Sequence, residues 1–382
     1  MKNLADIRKE INSIDDRLVE LFVRRQKLAD EVAASKKASG APICDPARER
    51  DILMRVAEMV GPEMEIGAKL FFTTLFGISR TRQRKILYGV SKLGGEIAQA
   101  VLNTPPAFPT KSLVACQGAE GAYSQQAAVK IFPFPSIIYK KTFDDVFSSV
   151  ENGECPYGIL PIENSTAGSV SQVYDLMVKH DFKIVRAVKQ KIDHVLLVPR
   201  GVRLQDVRRV VSHPQALQQC SEFFRKNPQI TSEPAPNTAV AAATVASSGA
   251  GDTAAIASRC CAEFYGLDVV ADGIADVPSN YTRFICISKN LEIYPGASKM
   301  SFMISLPHKP GALYEVMSKF AAAGLNLTKL ESRPIPGMDF EFRFNFDIEA
   351  SPSDSTAVNL LAELAGDPSV EKFEFLGAYQ EK

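Results

Sequence analysis

The first 92 residues carry apolar side chains at helical spacing. From residue 3 to about 38, leucine, isoleucine and valine recur three or four positions apart, with one doubled interval. This pattern predicts a helix about 50 Å long, ended by the Ser-Gly-Ala-Pro sequence at 39–42. Asp45 followed by Pro46 predicts the N-cap and first residue of a second helix, to about residue 60. A third helix is predicted from about 64 to 93. The first helix is too long for a small domain to cover, so we expect a partner chain against it.

A different pattern follows the proline-rich linker at 103–111. Short apolar runs alternate there with helical patterns, which is typical of an α/β architecture. Loops rich in glycine, asparagine, serine and threonine favour a cleft between two α/β lobes. Strands are predicted at residues 112–116, 136–139, 157–162, 194–198, 209–212, 254–256 and 283–288.

A second linker, residues 290–299, precedes a segment with the pattern βαββαβ. Its clearest strand is residues 340–348, where Phe340, Phe342, Phe344, Phe346 and Ile348 alternate with polar residues. The other predicted strands are 300–306, 325–333 and 370–376, and the helices are 310–323 and 353–365. This order predicts a small ferredoxin-like domain, and the linker suggests that the rest of the chain folds without it. The fold class is therefore multidomain α plus α/β, with domains at 1–92, 111–289 and 299–379.

Composition narrows the range of partners. The 382 residues include 44 lysines and arginines and 44 aspartates and glutamates, so the formal net charge is zero. This balance argues against nucleic acid or an anionic membrane as the main partner. The N-terminus lacks the apolar core of a signal peptide, and no apolar run is long enough to span a bilayer. We therefore expect a cytoplasmic protein. Seven cysteines and four histidines show no ligand spacing, so neither a metal nor another cofactor is expected.

Several cationic residues of the helical region share one face. Arg25 and Lys36 are eleven positions apart, which places them about 20° from each other around a helix. Arg8 lies about 25 Å from Arg25 along the same axis. It would reach the same small ligand only from the other helix of an antiparallel pair. Ser79 and Gln83 are four apart and therefore stack on one face of the third helix.

In order and spacing, eight polar and charged residues of the helical region resemble the all-helical chorismate mutase family, which forms intertwined dimers. The resemblance implies that Arg8 of a partner chain and Arg25 hold the two carboxylates of chorismate. Lys36 and Gln83 would donate hydrogen bonds to the ether oxygen during the rearrangement to prephenate. The full implied set is Arg8, Arg25, Lys36, Asp45, Arg48, Glu49, Ser79 and Gln83.

Five clusters in the middle region place small hydroxyl or amide residues near predicted strand ends, where α/β folds bind ligands. They are residues 118–124, 161–168, 212–217, 237–239 and 280–284. Each cluster alone is ordinary turn and cap chemistry, and His213 alone is more often a structural histidine than a catalyst.

Together and in this order, the five clusters resemble prephenate dehydratase, above all in Thr282-Arg283-Phe284 and Glu163-Asn164-Ser165. The resemblance implies conversion of prephenate to phenylpyruvate, with Thr282 as the essential hydroxyl. Arg283 is predicted to anchor a carboxylate, and Glu163 is our candidate for tuning the proton supply. The residues predicted to bind prephenate are Asn164, Ser165, Ser212, Gln215, Thr238 and Arg283.

Two motifs of the C-terminal segment resemble the ACT domain of phenylalanine-regulated prephenate dehydratases. They are Pro-Gly-Ala-Leu at 310–313 and Glu-Ser-Arg-Pro at 331–334. The resemblance implies that L-phenylalanine binds between two such domains and inhibits the enzyme. The implied effector residues are Gly311, Ala312, Leu313, Glu331 and Ser332.

The three segments point to neighbouring steps of one pathway, so the sequence predicts a bifunctional chorismate mutase/prephenate dehydratase of L-phenylalanine biosynthesis. We expect a homodimer or higher homo-oligomer. One alternative is a non-catalytic, two-lobed solute-binding module with a helical dimerisation segment. The missing signal peptide and the Thr-Arg-Phe triplet weigh against it. Another alternative keeps only the dehydratase active, and the complete set of Arg8, Arg25, Lys36 and Gln83 weighs against that one.

Overall fold

The computed structural model describes residues 3–89, 92–335 and 342–382. Its helices are α1 Leu4–Ser39, α2 Pro46–Val60, α3 Glu65–Tyr88, α4 Leu93–Asn103, α5 Tyr123–Ile131, α6 Phe143–Glu151, α7 Ser171–His180, α8 Pro214–Gln218, α9 Ser221–Lys226, α10 Thr238–Ser248, α11 Cys260–Tyr265, α12 Ala312–Ala322 and α13 Ser355–Ala365. Its strands are β1 Lys111–Gln117, β2 Phe134–Lys140, β3 Tyr157–Asn164, β4 Gly168–Ser169, β5 Lys183–Lys191, β6 His194–Val198, β7 Arg209–Ser212, β8 Thr231–Pro234, β9 Thr253–Ser258, β10 Asp268–Ala271, β11 Tyr281–Ser288, β12 Lys299–Leu306, β13 Asn326–Pro334, β14 Phe342–Glu349 and β15 Lys372–Glu381.

The helical region follows the prediction closely. Helix α1 ends at Gly40, whose φ of 69° suits glycine. The Asp45 side chain caps α2 by accepting from the Arg48 amide at 3.0 Å. The third helix stops earlier than predicted, at Tyr88, where Gly89 takes a φ of 80°. The sequence analysis missed α4, whose buried residues Leu93, Ile97 and Ala100 pack into the core of the C-terminal segment.

Two sheets form the predicted two-lobed α/β region. One lobe contains β5, β11, β3, β1 and β2 in that spatial order, and the other contains β10, β6, β9, β7 and β8. Each predicted strand is present. Strand β5 was not predicted because four basic residues interrupt its apolar pattern. One of them, Arg186, is buried and stacks on the Phe108 ring at 4.1 Å.

The C-terminal segment has the predicted order βαββαβ, with strands in the spatial order β13-β14-β12-β15. Strand β14 contains most of the alternating phenylalanines, whereas Phe340 lies outside the described residues. Strand β15 pairs in parallel with β5, so this sheet continues into that of the first lobe. Gly377 permits the close approach, because a Cβ there would lie 2.3 Å from the Ile184 carbonyl oxygen.

The connection at residues 290–299 is not a free tether. Ile293, Tyr294 and Ala297 are buried, and Met303 and Tyr379 of the C-terminal segment pack into the core of the first lobe. This shared core argues against the expectation that the rest of the chain folds without the C-terminal segment. In the part of the chain that the structure describes, no helix has the length and apolarity that a bilayer crossing requires.

Candidate active sites

The first site is a pocket of about 270 Å³ between α1, α2 and α3. The structure brings seven of the eight residues predicted for chorismate together in its lining. They are Arg25, Lys36, Asp45, Arg48, Glu49, Ser79 and Gln83. The eighth, Arg8, lies on an exposed stretch of α1, about 25 Å from Arg25 along the helix axis.

Hydrogen bonds fix the cationic groups of this pocket. Arg25 donates to the Ser79 hydroxyl at 2.6 Å and lies over the Phe76 ring. The Lys36 ammonium donates to the Ile43 carbonyl at 2.5 Å, which holds it at the pocket wall. Within the described residues, the buried Gln83 Oε1 has no hydrogen-bond partner, so this oxygen can accept a hydrogen bond from a ligand.

The pocket has an excess of positive charge. Sequence analysis missed one of its cations, Arg80, which also lines it. With Arg80 included, four cationic side chains face two carboxylates, Asp45 and Glu49. Charge-assisted hydrogen bonds in such a pocket favour a small dianion.

The second site is a cleft of about 420 Å³ between the two α/β lobes. Three of the six residues predicted to bind prephenate line it, and they are Asn164, Gln215 and Thr238. The predicted catalytic residue, Thr282, lines it as well. Asn164 ends β3 and Thr282 begins β11, and the antiparallel pairing of these strands places the two residues directly opposite each other.

Asn164 orients the Thr282 hydroxyl. Its side-chain nitrogen donates to Thr282 Oγ1 at 2.9 Å and to Asn280 Oδ1 at 2.7 Å. Its oxygen accepts from the Thr166 hydroxyl and amide, so the orientation of the Asn164 amide is settled. One lone pair of Thr282 is therefore occupied. Among the described residues, no acceptor takes its proton, which is free for a ligand in the cleft.

A polar chain extends from this pair across the cleft. Asn280 donates to Gln219 Oε1 at 3.2 Å, and the same oxygen lies 3.1 Å from His194 Nε2. Burial lowers the pKa of His194 more than its hydrogen bond to Gln219 raises it, and burial also lowers the pKa of His213. Both rings are therefore neutral at pH 7. Sequence analysis missed His194 and Gln219, which stand outside the recognisable clusters.

Two helix N-termini, which carry partial positive charge, and one lysine lie at the cleft and could bind an anion. Helices α5 and α10 begin at the cleft, where Tyr123 and Thr238 line it. Helix N-termini attract carboxylates. Lys141 is the one lysine or arginine among the described residues that line the cleft.

Two of the predicted prephenate residues have structural contacts instead of cleft contacts. The Ser212 side chain is fully buried and donates to the Ile256 carbonyl at 2.6 Å. The Ser165 hydroxyl accepts from the Tyr281 amide at 2.9 Å and fixes the loop after β3. Neither residue lines the cleft, which corrects their predicted placement.

Glu163 and Arg283 lie on the far side of the sheet from the cleft. Successive residues of a strand point to opposite faces, so the neighbours of Asn164 and Thr282 point away from it. Arg283 contacts Asp347 at 2.5 Å and Glu381 at 2.7 Å, both in the C-terminal segment. Glu163 contacts Lys329 at 3.1 Å and Arg283 at 3.7 Å. The predicted roles of Arg283 as a carboxylate anchor and of Glu163 in proton supply are therefore not supported by this placement.

Replacing Arg283 with alanine is expected to destabilise the fold rather than to weaken substrate binding. It would leave the buried Asp347 without its cation, and breaking such a pair costs about 3–5 kcal/mol. Chemical denaturation measures this loss. Arg225→Ala, which breaks an exposed ion pair with Glu222, should leave the denaturant concentration at the midpoint of unfolding unchanged. A normally stable Arg283→Ala protein with a raised KM for prephenate would restore the anchoring role.

The predicted effector residues occupy two places in the C-terminal segment. Gly311, Ala312 and Leu313 lie at the start of α12, and Ala312 lines a recess of about 20 Å³ that does not include Glu331 or Ser332. Those two lie on β13, the edge strand of the sheet. Burial opposes ionisation of Glu331, but the Ser169 hydroxyl, Lys329 and Arg333 outweigh it and lower its pKa. The structure does not bring the two groups into one pocket of a single chain.

Comparisons with known proteins match the two regions of the chain that contain these pockets. The family model "Chorismate mutase type II" matches residues 7–84, and "Prephenate dehydratase" matches residues 114–292. An arogenate dehydratase/prephenate dehydratase of Arabidopsis thaliana is 40% identical over 66% of this chain and 68% of its own length. The crystal structure of a prephenate dehydratase from Arthrobacter aurescens, in complex with L-Phe, is 30% identical, with a TM-score of 0.63. The match covers 70% of this chain and 89% of that one.

A further relative spans both regions. The bifunctional chorismate mutase/prephenate dehydratase of Enterobacter agglomerans is 32% identical over 98% of this chain and 95% of its own length. Both family models and this full-length similarity indicate the same pair of domains. The chain belongs to the bifunctional chorismate mutase/prephenate dehydratase family and is an enzyme with both domains.

Proposed function

We propose that this enzyme rearranges chorismate to prephenate in the helical pocket and converts prephenate to phenylpyruvate in the cleft between the lobes. The observation that carries the proposal is the clustering of the candidate residues in two separate cavities of suitable size. L-Phenylalanine is the proposed inhibitor.

The mutase reaction needs no nucleophile. It needs the substrate held in its reactive conformer and hydrogen-bond donors where negative charge builds up. In our proposal Arg25 and Arg48 bind carboxylates of chorismate, assisted by Ser79. Lys36 and Gln83 face the ether oxygen as the C–O bond breaks. Asp45 and Glu49 accept hydrogen bonds on the hydroxyl side of the ring.

We propose that a second copy of the chain completes this pocket. Helix α1 leaves a row of apolar residues exposed, and they are Leu4, Ile7, Ile11, Ile14, Leu18, Leu21 and Phe22. A row of this length on one helix is typical of a subunit interface. Antiparallel packing of two α1 helices would bring Arg8 of one chain to the Arg25 region of the other.

Mixing two inactive variants tests the shared site. We expect Arg8→Ala and Arg25→Ala each to lose most mutase activity alone. After co-refolding, mixed dimers should regain part of it, because one of their two pockets keeps both arginines. Recovery is measured as chorismate consumption, with each variant refolded alone as the control. Mixed dimers without any recovery would contradict a pocket shared between chains.

In the dehydratase cleft we propose that Thr282 assists departure of the ring hydroxyl of prephenate. The Thr282 proton passes to that hydroxyl, which leaves as water while the C–CO2 bond breaks and its electron pair enters the ring. A proton from solvent then restores the Thr282 hydroxyl. Asn164 holds Thr282 with its proton towards the substrate. The starts of α5 and α10, together with Lys141, receive the substrate carboxylates. Gln215 and the neutral His194 complete the polar lining.

Arogenate is a second candidate substrate of the same cleft. The relatives named arogenate dehydratase/prephenate dehydratase, which reach 40% identity, motivate it. Prephenate remains our first choice, because the relative that spans both domains is named for prephenate dehydratase. Kinetics with each substrate separately would decide, and a higher kcat/KM for arogenate would reverse the order.

We propose that the C-terminal segment is an ACT domain through which L-phenylalanine inhibits the enzyme. The L-Phe complex of the Arthrobacter aurescens prephenate dehydratase supports this ligand. A contact between the predicted effector region and the dehydratase lobe supports a route by which effector binding could influence the cleft. Glu331 accepts a hydrogen bond from the Ser169 hydroxyl at 2.5 Å. Ser169 pairs with Glu163, the neighbour of Asn164.

One incubation tests both activities. Chorismate is added to the full chain, and chorismate, prephenate and phenylpyruvate are followed together, with and without L-phenylalanine. We expect chorismate to fall and phenylpyruvate to rise, and L-phenylalanine to slow the rise. Unchanged chorismate would exclude the mutase, and prephenate that accumulates without phenylpyruvate would exclude the dehydratase. Full activity at millimolar L-phenylalanine would exclude the inhibition.

A further inference from the structure

Arg80 connects the mutase pocket to the C-terminal segment. It follows Ser79 on α3 and lines the pocket, where its guanidinium contacts both oxygens of Glu49 at 2.6 and 2.8 Å. The other end of the same guanidinium contacts Glu315 of α12 at 3.2 Å. Its side chain is only 13% exposed, so the three groups form a partly buried bridge.

The packing of α3 against the C-terminal helices supports this bridge. A Cβ at Gly77, one turn before Arg80, would lie 3.1 Å from a Glu315 oxygen, so glycine leaves room for that carboxylate. One turn beyond, Arg84 pairs with Asp367. The Thr81 hydroxyl donates to Glu363 at 3.2 Å. Helices α12 and α13 are thus both held against α3, with Glu315 of α12 as the partner of Arg80.

Glu315 also lies close to the predicted effector residues. Its amide donates to the Gly311 carbonyl at 2.9 Å, one helical turn away at the start of α12. A displacement of this helix end would therefore move Glu315. Arg80, bound to two carboxylates, would pass that displacement to Glu49.

We propose that Arg80 is a positioning residue of the mutase site, which holds Glu49 in place and is itself held by Glu315 of the C-terminal segment. This inference rests on the proposed role of Glu49 in binding chorismate. Arg80 also neutralises Glu49, so the pocket keeps the excess positive charge that a dianion requires. The C-terminal segment then supports the mutase site through Arg80, in addition to packing against the dehydratase lobe.

Arg80→Gln is the first variant. We expect the KM for chorismate to rise about tenfold or more, because hydrogen bonds to charged groups are strong and Glu49 would face the dianion without its cation. The value of kcat should fall less, since Arg80 does not face the breaking bond. The KM of Arg80→Lys should lie between those of the wild type and Arg80→Gln, because lysine keeps the positive charge. Dehydratase activity on added prephenate serves as an internal control and should not change.

The variant Glu315→Gln, alone and combined with Arg80→Gln, decides whether Glu315 acts through Arg80. Alone, Glu315→Gln should raise the KM by a smaller factor. The double variant should match Arg80→Gln, because Glu315 acts only through Arg80 and residues in one network are not additive. Glu363→Gln is the matched control. It removes a carboxylate of the same helical interface that does not contact Arg80, so the mutase KM should stay at the wild-type value.

The outcomes separate this inference from the proposed function. A mutase KM that Glu315→Gln leaves unchanged, or additive effects in the double variant, would overturn the bridge. With L-phenylalanine present, the wild-type mutase KM should change, and the Arg80→Gln KM should not. If neither activity responds to L-phenylalanine, the proposed effector is wrong, while the KM values of the five variants still decide the role of Arg80.

Discussion

Replacing Thr282 with alanine is expected to abolish phenylpyruvate formation while chorismate turnover stays at the wild-type rate. A positioned proton donor contributes about 10²–10⁴-fold to a rate. Thr282 is the hydroxyl whose lone pair is occupied by Asn164 and whose proton is free in the cleft. The two cavities lie in different parts of the chain, so the mutase should not respond.

Two further variants separate the hydroxyl from the shape of the residue. Thr282→Ser keeps the hydroxyl and loses a methyl group, so it should retain part of the activity. Asn164→Asp replaces the donor to Thr282 by an acceptor. The Thr282 proton would then turn towards the carboxylate, and activity should fall almost as far as in Thr282→Ala.

The measurement is phenylpyruvate formed from added prephenate by protein of verified thermal stability. Thr244→Ala removes an exposed hydroxyl of α10 that donates to the Val240 carbonyl, and it should behave as wild type. A Thr282→Ala variant with wild-type kcat would remove the hydroxyl from the mechanism.

The resemblance to chorismate mutases supplied the residue set of the helical site, and helical periodicity explains part of its arrangement. Arg25 and Lys36 recur on one face, and Ser79 and Gln83 are four apart, so their relation depends on local geometry alone. Arg80 was missed for the opposite reason. Its partner Glu315 is 235 positions away, and only the tertiary packing brings the two together.

In the dehydratase cleft, the position of a residue within a motif predicted only part of the site correctly. Thr282 and Arg283 are adjacent, as are Glu163 and Asn164, and all four were predicted to act in the cleft. The alternation of side chains along a strand already implies that only one member of each pair faces it. Burial on both faces of the sheet then gives Arg283 and Glu163 other partners, in the C-terminal segment.

The missed elements have a similar physical origin. Strand β5 is paired on both sides, by β11 and β15, so its basic residues find partners that no local pattern shows. Arg186, for example, stacks on Phe108. Helix α4 directly precedes the proline-rich linker, and its apolar face is buried by α13, some 260 residues further along the chain.

Lys36→Ala is expected to remove most mutase activity and to leave the dehydratase intact. Loss of one donor at developing charge typically costs about 10²–10³ in kcat. The Ile43 carbonyl holds the Lys36 ammonium at the pocket wall, and an ammonium has two further N–H groups to offer the ether oxygen. Without it, the charge that builds up as the C–O bond breaks would lose its cationic partner.

Lys37→Ala is the matched control, because Lys37 is the next residue of α1 and is exposed outside the pocket. It should consume chorismate at the wild-type rate. The decisive quantity is kcat for chorismate, since the loss of a donor used only in the transition state lowers kcat more than it raises KM. If Lys36→Ala raises KM alone, Lys36 binds the ground state as a carboxylate partner, and the ether oxygen must receive its hydrogen bond from Gln83. Equal losses in both activities would show instead that the variant has lost its fold.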